Sequence, residues 1–362
     1  MKTVIQVIQH LRPGGIETMV LDLQRFAAQD ERTIIISLEG DRNSALADWP
    51  RLREHAKRII FLNKQPGFSF KLLVELRRLF RILKADCVHT HHIGPLIYAG
   101  LAARLAGIKR LIHTEHDAWH LTDMHRRTLQ RWTLRLTRPL LVADAMSVAR
   151  GVRTHLQQRQ VRIIRNGIDS ERFRPGDQHF ARQQLGLPDN VQLVGCSGRL
   201  EVVKGQAVLL EALSQLPQET HVALAGIGTT EQALKDQAKR LGIEQRVHFL
   251  GRTDEMPTFY QALDLFCLPS FHEGMPLSPL EAQACGIPAL LTDTGGCREA
   301  LCPESGRLVT PGKPDEMAEA ITEMLIEQPH RNPRDFVKSE GDVRLMAKAY
   351  NDLHKPLHRR EV

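Results

Sequence analysis

A chain of 362 residues with 42% apolar content is long enough for two domains, each with its own core, and no stretch approaches the roughly 18 apolar residues of a membrane span. Six cysteines without C-x-x-C spacing argue against a disulfide framework or a zinc site, and the interrupted Met1–Ile8 stretch is too short for a signal peptide, so a cytosolic location is expected. The 49 basic against 42 acidic residues leave +7, which suits nucleic acid, an anionic lipid surface or an anionic small ligand, and only the distribution of charge can choose.

Lys2–Ile8 alternates, Pro13-Gly14-Gly15 follows, and Ile16, Met19, Val20, Leu23 and Phe26 then mark one helical face. This is a strand, a glycine turn and a helix, and Gly14 and Gly15 would let backbone approach a ligand closely. Thr33–Leu38 and Arg58–Leu62 read as strands. Phe70–Lys84 reads as a helix with Leu72, Leu73, Leu76, Leu79, Phe80 and Leu83 on its apolar side and Arg77, Arg78, Arg81 and Lys84 on the rest. Asp86–His92 is a short buried strand, Pro95–Ala106 a helix and Arg110–Thr114 a strand. The βαβ alternation predicts a parallel sheet.

Seven histidines between His89 and His125 raise the question of a metal. No carboxylate completes a ligand set by spacing, and adjacent rings on a strand point to opposite faces. Open α/β sheets bind ligands beyond the carboxyl ends of their strands, where His89–His92 and His113–Asp117 both fall, so these side chains are expected to line a ligand site.

From His125 to Arg138 the chain carries five arginines and no acid, with Leu129, Trp132 and Leu136 three or four apart. Such a helix is either an ordinary surface element with snorkelling arginines or, with residues 70–84, a contact for anionic lipid headgroups on the inner membrane. No nucleic-acid-binding motif or aromatic platform accompanies the charge.

Val161–Arg165 and Asn166-Gly167 mark the passage between a first domain, residues 1–165, and a second, 166–341. After the strand Gln192–Cys196, Arg199 and Lys204 straddle a loop, five residues apart, and can reach one diphosphate from two sides. Breaking a sugar–diphosphate bond builds negative charge that something must offset. With no D-x-D pair to hold a metal, two fixed cations suit the task. Val222–Ala225 runs into Gly226-Ile227-Gly228, a strand–loop–helix setting of the Rossmann kind.

Leu263–Leu268 then delivers the stretch SFHEGMPLSPLEAQACGIPALLTDTGGCREA, Ser270–Ala300. Ser278, Pro279 and Glu281 predict a helix start with an S-x-x-E capping box, and Gly286 its end. Glu273 and Glu281 flank that start. A carboxylate accepts paired bonds from the hydroxyls of a ribose or hexose, while helix-terminal amides favour a diphosphate. Thr294-Gly295-Gly296 is expected to open a further helix whose first amides complete the phosphate cradle. Asp315–Ile326 and Asp342–Leu353 are the last helices, separated by a polar break at Arg331–Arg334 and followed by a basic tail to Arg360.

The segment EGMPLSPLEAQACGIPALLTDTGG resembles the donor-site signature of the retaining glycosyltransferases of family 4, and the likeness extends over nearly the whole chain. It implies the GT-B fold: an α/β protein of two Rossmann-like, doubly wound domains facing across a cleft, with the last helix (342–362) rejoining the first domain. It implies transfer of a hexose from a nucleotide diphosphate sugar to a glycan or lipid-linked acceptor, with retention and without a metal, as in cell-surface or exopolysaccharide synthesis. By the same resemblance Glu273 contacts the donor sugar, Glu281 the ribose, Arg199 and Lys204 the diphosphate, Gly14 and Gly15 lie beside donor and acceptor, and His116, in Thr114-Glu115-His116, approaches the reacting sugar. A sugar-nucleotide epimerase or hydrolase of the same fold, or a non-catalytic nucleotide-sugar-binding subunit, remains a rival reading.

Overall fold

The computed structural model describes residues 1–326 and 332–355. The chain divides into two compact units, Met1–Asn166 with the residues from Val343 onward, and Gly167–Asp342. Residue 331 of the expected polar break and residues 356–360 of the basic tail lie outside the described residues.

The first unit is built on seven parallel strands: β1 (Lys2–Ile8), β2 (Glu31–Ser37), β3 (Ile59–Phe61), β4 (Cys87–His91), β5 (Arg110–Glu115), β6 (Leu140–Ala143) and β7 (Val161–Ile163). Their order in the sheet is β3-β2-β1-β4-β5-β6-β7. The strands are buried on both faces because helices cover both, which is why Val4–Ile8 of β1 reads as a run of apolar residues broken only by Gln6. One face carries helix Phe70–Ile82, whose Leu72, Leu73, Leu76 and Phe80 pack on Ile5, Val7 and Val88. The other carries helix Gly15–Arg25 and the final helix Val343–His354, whose Met346, Ala347, Tyr350 and Leu353 join the same cluster as Val4 and Ile112.

The second unit has six parallel strands: β8 (Gln192–Ser197), β9 (Thr220–Ala225), β10 (Val247–Gly251), β11 (Leu265–Leu268), β12 (Ala289–Thr292) and β13 (Arg307–Val309), ordered β10-β9-β8-β11-β12-β13. All six cysteines are free and buried.

Both sheets reverse direction of winding once. The switch lies between β1 and β4 in the first and between β8 and β11 in the second. At such a point two successive loops at the carboxyl ends of neighbouring strands diverge and leave a crevice. In the first unit these are the loops holding Gly14-Gly15 and His91-His92. In the second they are the loops holding Arg199–Lys204 and Ser270–Glu273.

Candidate active site

The second unit's switch point brings its charged residues together. Lys204 Nζ lies 2.6 Å from Glu273 Oε1, and Ser270 Oγ donates to the same oxygen at 2.6 Å. The loops that carry them touch through backbone: Phe271 N donates to Val203 O at 2.8 Å, and Gly205, at φ +67°, abuts the Pro269 carbonyl where any Cβ would collide. Only glycine combines that dihedral with that approach. Arg199 sits five residues before Lys204 on the same loop with its side chain exposed, while its carbonyl accepts from Gln206 Nε2 at 3.0 Å. The cation and carboxylate are thus held partly dehydrated, which strengthens their field at a ligand beside them.

Gly226 and Gly228 support this loop. Gly226 has φ +152° and lies against the Gly198 carbonyl, and Gly228 lies against that of Leu200. Leu200 N donates to Ile227 O at 3.0 Å, so the glycine loop packs on the backbone on either side of Arg199, at Gly198 and Leu200.

Glu281 departs from expectation. The helix runs Ser278–Ala284 with Leu277 at the cap and no capping side chain, so the S-x-x-E box does not form. Its carboxylate instead accepts from Tyr260 Oη at 2.6 Å, and that hydroxyl also bonds Ser197 Oγ at 2.9 Å. A fully buried phenol bound to a carboxylate is a stronger anchor for it than the helix's own amides. Burial and then the neighbouring Glu281 push the Tyr260 hydroxyl well above its usual pKa, so it stays a donor. The helix ends as expected, at Gly286 with φ +89°.

The expected helix after Gly295-Gly296 is also corrected: only a short 3-10 turn, Cys297–Ala300, follows. Gly296 N donates to Gly274 O at 2.6 Å and Cys297 N to Thr294 O at 3.0 Å, so these amides serve the loop and not a phosphate. Gly295, at φ +52°, packs against the Glu273 carbonyl. The two glycines fix the backbone of the glutamate loop.

In the first unit Gly14 caps helix Gly15–Arg25 in an extended conformation. Three residues on, Oε1 of the buried Glu17 lies 3.2 Å from His10 Nδ1, and this carboxylate raises the His10 pKa. His116 is enclosed: its Nδ1 lies 3.2 Å from Asp144 Oδ2 and its Nε2 3.0 Å from His91 Nδ1, whose Nε2 meets Gln6 Oε1 at 2.9 Å. His89 and His91 project from the same face of β4, with ring centroids 4.2 Å apart. Burial holds both far below the usual histidine pKa and brings His92 down to about 4, so these rings are neutral. His113 Nε2 lies 2.8 Å from Glu115 Oε1, which Gln130 also reaches. His92 holds φ +69°, a backbone state uncommon outside glycine and concentrated at functional sites. Among the described residues no three of His, Cys, Asp or Glu are grouped to hold a metal ion.

Sequence reading missed Tyr260, Asp144 and Gln6. Asp144 follows directly after β6, where the strand-end rule would have found it. Gln6 interrupts the apolar run Val4–Ile8 of a buried strand, itself a signal. Tyr260 lies in an apolar helix, Met256–Gln261, and gives no signal.

Two family models tile nearly the whole chain: Glycosyltransferase Family 4 over residues 13–172 and Glycosyl transferases group 1 over 177–338. A Bacillus subtilis (strain 168) protein named as a glycosyltransferase, EpsF, is 27% identical over 312 residues, covering 81% of this chain and 79% of that one. The lipopolysaccharide core biosynthesis mannosyltransferase LpsB of Rhizobium meliloti (strain 1021) is 30% identical over 213 residues, 53% of this chain and 60% of its own. For several other curated relatives, D-inositol 3-phosphate glycosyltransferases among them, the match spans about 44% of their length. Among solved structures, that of Anabaena HepE in complex with UDP-glucose superposes with a TM-score of 0.82 at 24% identity, covering 97% of this chain and 99% of that one. The Ser270–Ala300 loop and helix, the two parallel sheets and the two tiled models agree: the chain belongs to the group 1, family 4 glycosyltransferases of GT-B fold.

Proposed function

We propose that this glycosyltransferase moves a hexose from a nucleotide diphosphate sugar to a hydroxyl of a glycan or lipid-linked acceptor, with retention of anomeric configuration, in the assembly of a cell-surface or exported polysaccharide. The observation that carries the reading is the Lys204–Glu273–Ser270 cluster at the second sheet's switch point, with Arg199 exposed on the adjoining loop and Glu281 fixed by Tyr260. The names of the relatives support it, since HepE was solved with UDP-glucose and LpsB is a mannosyltransferase.

In this reading Glu281 takes the ribose hydroxyls and Glu273 the sugar hydroxyls, while Arg199 and Lys204 neutralise the diphosphate as it leaves. Gly226, Gly295 and Gly296 shape the donor loops, and Gly14 and Gly15 bring backbone to the donor phosphate. His116 orients the sugar or acceptor. Retention through a covalent intermediate would need a carboxylate at the anomeric carbon, and in this reading Glu273 is taken by the sugar hydroxyls and Glu281 by the ribose. We assign instead a front-face substitution: the C1–oxygen bond to the diphosphate breaks, the acceptor oxygen bonds C1 from the same side, and the acceptor proton passes to the leaving phosphate oxygen. No metal takes part, because the two cations perform its task. The acceptor is met in the cytoplasm, at the inner surface of an anionic membrane.

The test is a panel of nucleotide sugars. A donor at 100 times its dissociation constant should add about 2.7 kcal/mol of stability, and that donor should then label a glycan acceptor with the same anomeric configuration in the presence of EDTA. Release of free or epimerised sugar as the only product would favour the epimerase or hydrolase. Donor binding without turnover would favour a binding subunit.

A further inference from the structure

Helix Met124–Thr137 is folded inside out. Its buried residues are Gln130, Thr133, Leu134 and Thr137, while Leu129, Trp132 and Leu136 are 50%, 59% and 64% exposed. The inward polar groups are all bonded. Thr133 and Thr137 hydroxyls donate to the carbonyls one turn back, at 2.9 and 2.7 Å, and Gln130 reaches Glu115 and His120. The Thr bonds stay within the helix, whereas Gln130, together with Arg131 bonding the His155 carbonyl, holds it in this rotation, and its apolar stripe, spaced i, i+3 and i+7, is left outside.

Neighbouring helices of the same unit also expose apolar residues. Arg104, on helix Leu101–Leu105, bonds the carbonyls of Thr137 and Arg138 at 2.6 and 2.8 Å. Arg77, on helix Phe70–Ile82, bonds that of Leu105 at 3.1 Å. Leu105 is exposed, and so are Phe70, Val74 and Ile82 on the helix beyond it. Arg126, Arg135 and Arg138 are exposed around Trp132, with the Arg135 guanidinium 5.7 Å from its ring, and Lys71, Arg78, Arg81 and Lys84 are exposed on the Phe70–Ile82 side.

We infer that these adjacent helices form a docking face for an anionic lipid bilayer, with Leu129, Trp132 and Leu136 entering the headgroup boundary and the arginines binding lipid phosphates. Apolar residues on one face flanked by arginine, with a tryptophan at the boundary, are what interfacial insertion requires. Residues 124–138 contain no acid, so a second copy presenting the same face would meet like charge. The inference takes its purpose from a membrane-borne acceptor but its geometry stands apart from the transfer chemistry.

Co-sedimentation of the full chain with vesicles of phosphatidylcholine alone, or with about a third phosphatidylglycerol, tests it. Anionic vesicles should bind the protein and shift tryptophan emission to the blue, and neutral ones should not. Arg126→Gln, Arg127→Gln and Arg135→Gln together should weaken binding about 100-fold, and Trp132→Ser with Leu136→Ser about tenfold or more. Arg131 is left in place because it bonds the His155 carbonyl. Both variants should keep the melting temperature and the donor-induced stabilisation of the parent. Equal binding to neutral vesicles, unchanged binding by both variants, or self-association through this stripe without vesicle binding would each overturn the inference. Sugar transfer that persists in a protein without affinity for vesicles would remove the docking face alone, and vesicle binding without transfer would remove the proposed reaction alone.

Discussion

The two units place their polar residues at the same point of the same kind of sheet, yet by opposite means. In the first, the carboxyl ends of β4, β5 and β6 carry buried rings and acids drawn from four strands and bonded to one another, from Gln6 through His91 and His116 to Asp144, and burial keeps His89, His91 and His92 neutral. In the second, short loops fixed by glycine backbone hold a cation and a carboxylate in direct contact, Lys204 with Glu273. Histidines held neutral make directional, adjustable hydrogen bonds and suit a neutral hydroxylic acceptor. Fixed charges on rigid backbone suit a ligand whose charge changes during the reaction.

The largest expected effect tests the charged end. Arg199→Ala or Lys204→Ala should lower turnover by roughly 10² to 10³ at saturating donor, the usual cost of one lost transition-state donor, measured as initial rates of sugar transfer. Normal turnover in both would mean that the cations do not bear the leaving charge. The rigidity of that end is sharpened by Gly295→Ala. Its φ of +52° and its contact with the Glu273 carbonyl leave no room for a Cβ, so we expect a loss of roughly 1–3 kcal/mol in denaturant unfolding and a matching fall in donor binding.

Tyr260→Phe is milder. It removes the bond that orients Glu281, and should cost about 1–2 kcal/mol of stability while raising the donor KM more than it lowers kcat. A pure fall in kcat would place Glu281 at the reacting bond instead.

The neutral end is tested by acid. His89, His91 and His92 have folded pKa values below the unfolded value of about 6.5, so the unfolded chain takes up protons that the folded chain refuses. Their contribution is therefore complete above about pH 6.5 and is lost as pH falls, for His92 down to about 4. Glu115, which burial would raise but His113 lowers further, adds a loss at still lower pH, while Asp144, raised by burial, offsets part of it. Amide exchange at pH 7.5 and 5.0 should show β4 and β5 losing protection well before β8 and β11. The second unit's shifted histidines, His221 and His248, lie half-buried on β9 and β10. Equal loss in both units would break the comparison.

Legibility followed the same division. The donor loops could be read because their residues are local: Arg199 and Lys204 share one loop, and Glu273 and Glu281 one stretch, at spacings that sequence displays. What was misread there was cap chemistry. Ser278 offers an N-cap, but Glu281 finds a stronger donor in Tyr260, which folds in from a helix about twenty residues upstream. The amides after Gly295 looked free because a glycine pair before a polar run suggests a helix start, yet Gly274 claims the first of them. In the first unit His116 could be named, but its partners Asp144 and His91, and Gln6 behind His91, come from other strands, and no spacing connects them. Helix Met124–Thr137 could be read as amphipathic but not as inverted, since the bonds that turn Gln130 inward lie on β5 and on His120.

Apolar periodicity and glycine placement alone determined that this chain forms two parallel α/β units and where each loop falls, because those choices depend on residues near in sequence. Which carboxylate meets which donor, which rings stay neutral and which helix face is left to solvent were decided only by the packed structure. Hydrogen bonds and burial compare all partners within a few ångströms, and most of those partners are distant along the chain.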